Sequence, residues 1–237
     1  TSFVSAPPGI TSMSYFSLLS TFSLIVFSEN ESSLEVFIFC DLKTFSELFL
    51  SIGVSPLRIF WMFVIYCSSL FVLINSIANI SGAHFNPVVT MTMYFTKKIK
   101  KDLIFTYISA QILGCLLGVM LANFMFDLPL IELSKKVRPG INIFVAELIA
   151  TFGLIFIIFG TLKKGSTSVA ASVATYITAG YWFTSSTSFA NPAVALARTF
   201  TDTFTGISYL NTPSYIVAEI IGALLALFII KKIISTK

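Results

Sequence analysis

Two Asn-Pro pairs interrupt apolar stretches of this chain 105 residues apart: Asn86-Pro87 in SGAHFNPVVTM and Asn191-Pro192 in SFANPAVALAR. Pro is favoured at the first position of a helix, where its missing N–H costs nothing and its φ is already helical. Asn is among the best N-caps. Each pair therefore reads as a helix start. The helices that follow, 86–96 and 192–203, are each about a dozen residues, or roughly 16–18 Å at ~1.5 Å per residue. That is too short to cross a bilayer, so both fit half-membrane helices that enter and return on one side. Irregular backbone at such depth is tolerated only where it lines a cavity.

Composition places the chain in lipid. Of its 237 residues 56% are hydrophobic and 11% charged, with mean hydropathy +0.90, against about 25% charged in a soluble domain. The net charge of +4 comes from lysines at segment ends and not from a basic stripe, so no nucleic-acid partner is expected. Cys40, Cys67 and Cys115 are unclustered and the chain has one His, which gives no basis for a Cys/His zinc site. The cysteines read as small buried apolar residues, and neither metal nor cofactor is expected. No basic stretch precedes the first apolar run, so no cleavable signal peptide is expected.

A spanning helix needs about 20 mainly apolar residues, which places spans at 10–28, 57–79, 102–126, 143–162, 167–184 and 213–233. The stretch 35–54 is apolar but carries Asp41, Lys43 and Glu47, and reads as an outer loop or interfacial helix. Lys97, Lys98, Lys100, Lys101, Lys163, Lys164, Lys231, Lys232 and Lys237 fall on one side of this six-span arrangement. Lys43, Arg58, Lys135, Lys136 and Arg138 fall on the other. The positive-inside rule then puts both termini in the cytoplasm.

The chain also repeats itself. YISAQILGCLLG (107–118) matches YIVAEIIGALLA (215–226) at an offset of 108, and SLLSTF (17–22) echoes ELIATF (147–152). One channel domain over 1–237 would thus hold a first repeat at 10–126 and a second at 143–233. Three spans per repeat is an odd number, so the second copy is inverted, and inverted repeats place their site at the midplane where broken helices meet. Gly114, Gly118 and Ala122, matched by Ala218, Gly222 and Ala226, recur every four positions and suit close helix packing.

Two half-helices entering from opposite sides bring two N-termini together, each worth about half a positive charge. Asn86 and Asn191 add amide donors. A narrow apolar tube with these features suits a small neutral hydrogen-bonding solute and rejects cations.

SGAHFNP and SFANPAV at this spacing, in two inverted three-span halves, resemble the aquaporin and aquaglyceroporin family. The stretch TSSTSFANPAVALARTFTDTF is similar to a bacterial branch associated with arsenic resistance. The resemblance implies an all-α membrane protein, with six transmembrane helices and two re-entrant half-helices. It also implies a homotetramer with one pore per subunit in the inner membrane, passing water, glycerol or arsenite. The pore motifs would be Asn86, Pro87, Val88 and Asn191, Pro192, Ala193. His84 would support the first re-entrant loop and Glu147 the second, with Glu219, the counterpart of Gln111, acting in the same way.

Four departures from the family pattern stand out. The first motif ends in Val88 instead of Ala. Ser17 takes the place of an acid in the first span. The N-terminal region matches poorly. Val194 occupies the slot after Asn-Pro-Ala where most of the family has Arg. The outer filter would then be built from Val194, Ser188, Gly180, Ala179 and Tyr66. Arg198 lies one helical turn further on, and two readings of it stand: a vestibule residue pairing with Asp202, or a replacement filter cation.

Other classes fit less well. A formate/nitrite-type anion channel would need a central His on a broken helix, whereas His84 precedes an Asn-Pro. A non-conducting structural protein is a further alternative. An enzyme is not expected: Glu147, Asp202 and Glu219 sit on separate elements, and none has a His beside it.

Overall fold

The computed structural model describes residues 24–26, 35–37, 56–203 and 206–235, with side chains between 67 and 233. From residue 56 the described chain is helical: α1 (Pro56–Ser81), α2 (Pro87–Phe95), α3 (Lys101–Met125), α4 (Ile141–Thr161), α5 (Ser166–Phe183), α6 (Pro192–Ala197) and α7 (Thr212–Ser235). The five long helices lie within two residues of the last five expected spans. The two short ones begin at the two prolines.

The first expected span needs correction where it is described. Leu24–Val26 forms a strand, β1, paired antiparallel with β2, Glu35–Phe37, with Leu24 opposite Phe37 and Val26 opposite Glu35. The polar run SENESS at 28–33 ends the apolar stretch, and β-branched Ile25, Val26 and Val36 favour extended backbone on either side of it. Residues 10–23, including Ser17, and all of 38–54 lie outside the described residues.

Local chemistry sets the helix ends. Asn86 and Asn191 both hold extended backbone, with φ of −151° and −157°, and cap α2 and α6 with their side chains. Gly165, at φ +96°, turns the chain between α4 and α5. Beyond α6 the chain makes one 3-10 turn, Arg198–Phe200, before leaving the helix.

α4 packs along α7 and α5, α1 lies along α5, and the short α2 and α6 rest against α3 and α7. The α4–α7 contact depends on Gly222, where an added Cβ would stand 2.4 Å from the Leu148 carbonyl oxygen. At Gly222 the small residue allows the close helix approach that packing theory expects.

Alongside the apolar core, several polar side chains are wholly buried and many large apolar ones are exposed, unlike a soluble domain. Gln111, Glu147, Glu219, Thr90 and Thr151 are wholly buried, while Phe105 (81%), Phe124 (69%) and Phe228 (68%) are exposed. Lys101–Met125 and Ile141–Lys164 are long and apolar enough to cross a membrane.

Candidate functional site

The two Asn-Pro pairs meet inside the bundle. Each Asn spends its side-chain oxygen on its own helix: Asn86 Oδ1 accepts from Val88 N at 3.1 Å, and Asn191 Oδ1 from Ala193 N at 3.1 Å. Each spends one amide hydrogen on the opposite loop. Asn86 Nδ2 donates to the Ala190 carbonyl at 2.6 Å, and Asn191 Nδ2 to the Phe85 carbonyl at 2.8 Å. A carboxamide carries two N–H donors, so one on each Asn remains beyond this strap. Both residues line a cavity of about 540 Å³.

The cavity wall runs from Lys98, Leu162 and Ser166 at one end to Val194 and Arg198 at the other. Most of it is apolar, built from i, i+4 rows such as Leu154 with Ile158 on α4, and Val173, Ile177 and Tyr181 on α5. The polar groups of its middle come from the two Asn-Pro loops, His84, Asn86, Ser188 and Asn191, and Lys98, Ser166, Tyr181 and Arg198 add others along the wall. Between those groups the wall is mainly hydrocarbon.

The second loop is held from behind by two carboxyl groups. Glu147, wholly buried in α4, accepts from Phe189 N at 2.9 Å and Ala190 N at 2.7 Å. Glu219 on α7, equally buried, accepts from Asn191 N at 2.9 Å. Three successive backbone N–H groups are therefore satisfied by side chains, and the strained residues Ser188 (φ +51°) and Ala190 (φ +49°) are fixed in place. The first loop is held differently. Gln111 Nε2 donates to the His84 carbonyl and, at 2.9 Å, to Thr90 Oγ1, while the Tyr107 hydroxyl donates to the Ser81 carbonyl at 2.8 Å. The His84 ring lies 5.5 Å from that of Tyr107, as Phe189 lies 5.0 Å from Tyr215.

At the end of the cavity that holds Arg198, Val194 is buried and lines the wall. Ser188 lines it too, with a hydroxyl that has no protein partner among the described residues. Gly180 makes room for that hydroxyl, since a Cβ there would stand 2.6 Å from Ser188 Oγ. Ala179 faces outward and is exposed; the register of α5 gives the cavity wall to Ile177 and Tyr181 instead. The side chain of Tyr66 lies outside the described residues. Val88, Ala193 and the motif prolines sit behind the wall. Val88 joins the main apolar core, and Ala193 packs with Cys115 and Ala197.

Arg198 is 5% exposed, lines the cavity, and lays its guanidinium over the Phe189 ring at 4.2 Å. Asp202 is engaged elsewhere, accepting from Lys135 N at 2.9 Å. The residues that sequence reasoning did not single out here are Phe189, Arg138 and the α4–α5 wall. The i, i+4 rows of apolar residues were the available signal for the wall.

Residues 17–179 match the family model described as Major intrinsic protein. The chain is 43% identical over 162 residues to Aquaglyceroporin AqpS of Rhizobium meliloti (strain 1021), covering 68% of this chain and 70% of that relative. It is 30% identical over 184 residues to Aquaporin-4 of Notomys alexis, covering 73% and 56%. It is 32% identical over 163 residues to Aquaporin NIP3-1 of Arabidopsis thaliana, covering 65% and 50%. The chain thus spans about half the length of the last two.

Proposed function

The chain belongs to the major intrinsic protein family, the aquaporins and aquaglyceroporins, and from that premise we propose that it is a passive membrane channel for water and small neutral solutes such as glycerol. The observation that carries this reading is the meeting of Asn86 and Asn191 on the wall of one cavity, each with an amide N–H beyond the one bonded to the opposite loop. A water or hydroxyl oxygen there accepts from two caps at once. A cation meets two helix N-termini, each about half a positive charge, and loses hydration without gaining an anionic partner.

The cavity supports solutes larger than water. Val194 contributes an isopropyl group where a guanidinium would narrow and charge the wall, and the remaining lining is largely hydrocarbon. Polyols and neutral arsenite, which present several hydroxyls on a compact body, fit such a wall. Asn86, Asn191, Ser188 and Val194 are the residues assigned to solute passage; His84, Glu147 and Glu219 hold the loops. Arg198 belongs to the outer mouth as a filter cation, a reading supported by its place on the cavity wall.

The chain is a multi-pass membrane protein of a transporter family and not an enzyme. We assign it to the inner membrane with both termini cytoplasmic, as the lysine distribution favours. We also assign it a homotetramer, with the exposed apolar faces of α3 and α7 turned to lipid or neighbouring subunits.

Stopped-flow light scattering on proteoliposomes tests the proposal. Water and glycerol permeabilities should rise well above those of empty vesicles, with arsenite uptake measured alongside. Vesicles loaded with protein yet no more permeable than the bare bilayer to any of the three would refute it. A formate current in their place would indicate an anion channel.

A further inference from the structure

The loop between α3 and α4 does not hang free of the outer mouth. Glu132 N donates to the Phe200 carbonyl at 3.2 Å and Ser134 N to the Thr199 carbonyl at 2.9 Å, and Ser208 N donates to the Lys136 carbonyl at 2.7 Å. These bonds lay the loop along the segment that carries Arg198, whose own carbonyl accepts from Ile207 N at 3.2 Å. Two residues further along the loop, Arg138 N donates to Asn211 Oδ1 at 2.9 Å, which fixes where its side chain starts.

That side chain reaches back toward the pore. Arg138 Nη1 lies 3.5 Å from Thr187 Oγ1, and its guanidinium carbon is 5.9 Å from the centre of the Phe189 ring. Arg198 holds the same ring from 4.2 Å. Phe189 precedes Asn191 by two residues and lines the cavity beside Val194. Two guanidinium groups that cannot lose their charge therefore converge on one aromatic residue at the outer end.

We propose that Arg138, carried to the outer mouth by the α3–α4 loop, is a specificity-determining residue: with Arg198 it flanks Phe189 and supplies a fixed positive charge that admits neutral solutes and turns cations away. This rests on the channel reading. A charge placed outside the narrow region acts before an ion is stripped of water. In a low-dielectric funnel its reach is longer than in bulk solvent.

Urea and guanidinium test this directly, because they are nearly equal in size and shape and differ in charge. Their permeabilities would be measured in proteoliposomes carrying the full-length protein. Arg138→Ala should raise the guanidinium-to-urea ratio roughly threefold or more, the factor that one unit charge about 6 Å away gives even in a water-like dielectric. Arg138→Lys, which keeps the charge, should restore most of the discrimination, and Arg138→Met, which keeps the stem, should behave like Ala. Using all three guards against a loss of folding in any one.

An unchanged ratio in the Ala and Met variants overturns the proposal. So does a lower melting temperature without a change in ratio, since Arg138 would then be only a staple for its loop. A wild-type protein that passes neither water nor urea is a different failure. It removes the channel reading itself and this inference with it.

Discussion

Asn86 and Asn191 are strapped to each other's loops: each caps its own half-helix with Oδ1 and donates Nδ2 to the carbonyl just before the other cap, at 2.6 and 2.8 Å. The strap fixes the separation of the two caps and sets the direction of the remaining N–H. Substituting Asp at either position keeps the cap acceptor but turns a donor into an anion facing a carbonyl. Asn191→Asp should lower thermal stability by about 1–3 kcal/mol, the penalty for leaving a buried group unsatisfied. It should also reduce glycerol flux on the order of tenfold, equivalent to ~1.4 kcal/mol. Differential scanning fluorimetry and stopped-flow scattering read these two effects. Wild-type values in both would remove the strap from the account.

Glu147 and Glu219 hold consecutive N–H groups of the second loop, yet they should respond differently to amide substitution. Both oxygens of Glu147 accept backbone N–H bonds, so Glu147→Gln must present an NH2 to one of them. A loss of about 2–4 kcal/mol is expected, since bonds to charged acceptors contribute about 1.5–3 kcal/mol and the new donors oppose each other. Glu219 makes one such bond, to Asn191 N, and its side chain neighbours that of Glu147. Glu219→Gln can keep that bond and offer an N–H to its neighbour, so the change should stay within about 1 kcal/mol. Comparable melting-point losses in the two variants would contradict this asymmetry.

The half-helices were legible in the sequence because their signal is local: cap, proline and small apolar residues lie within a few positions. The role of Glu147 came through the family resemblance, and its fit follows from the fact that a wholly buried carboxylate needs donors. Other features depend on contacts remote in sequence. Arg138 reaches Phe189 only because Ser134 and Lys136 bond to residues more than 60 positions away. Ala179 was placed by its distance in sequence from Asn191, and a one-residue error in helical phase moves a side chain from the wall to the outside. The antiparallel pair 24–26 and 35–37 was missed because short apolar runs give no period long enough to separate strand from helix.

Gly222 offers a test of packing that is independent of transport. A Cβ there would lie 2.4 Å from the Leu148 oxygen and 3.1 Å from the Phe152 nitrogen, both backbone atoms that cannot swing aside. Gly222→Ala must separate α4 from α7. Overpacking of this kind costs about 1–3 kcal/mol, offset by less than about 1 kcal/mol of helix propensity. The variant should melt earlier in detergent. Higher stability would mean that the two helices do not approach as closely as described.

In the proposed channel, Val194 sets the width of the outer mouth. It is 2% exposed and borders the cavity with Ser188 and Arg198, so a longer side chain has little room except into the lumen. Val194→Arg adds a branched cation with five donors. It would stand one helical turn from Arg198, and the two like charges would spread apart across the opening. Water, with one oxygen, can pass beside a guanidinium and bond to it, whereas glycerol needs the width that Val194 leaves. The variant should therefore cut glycerol and arsenite permeability by about tenfold or more while water permeability falls by less than about threefold, a difference near 0.7 kcal/mol or greater in barrier height. Parallel stopped-flow traces on one vesicle preparation measure the ratio. Equal suppression of all three solutes would show that the new side chain blocks the mouth without discriminating, and would place the filter elsewhere along the wall.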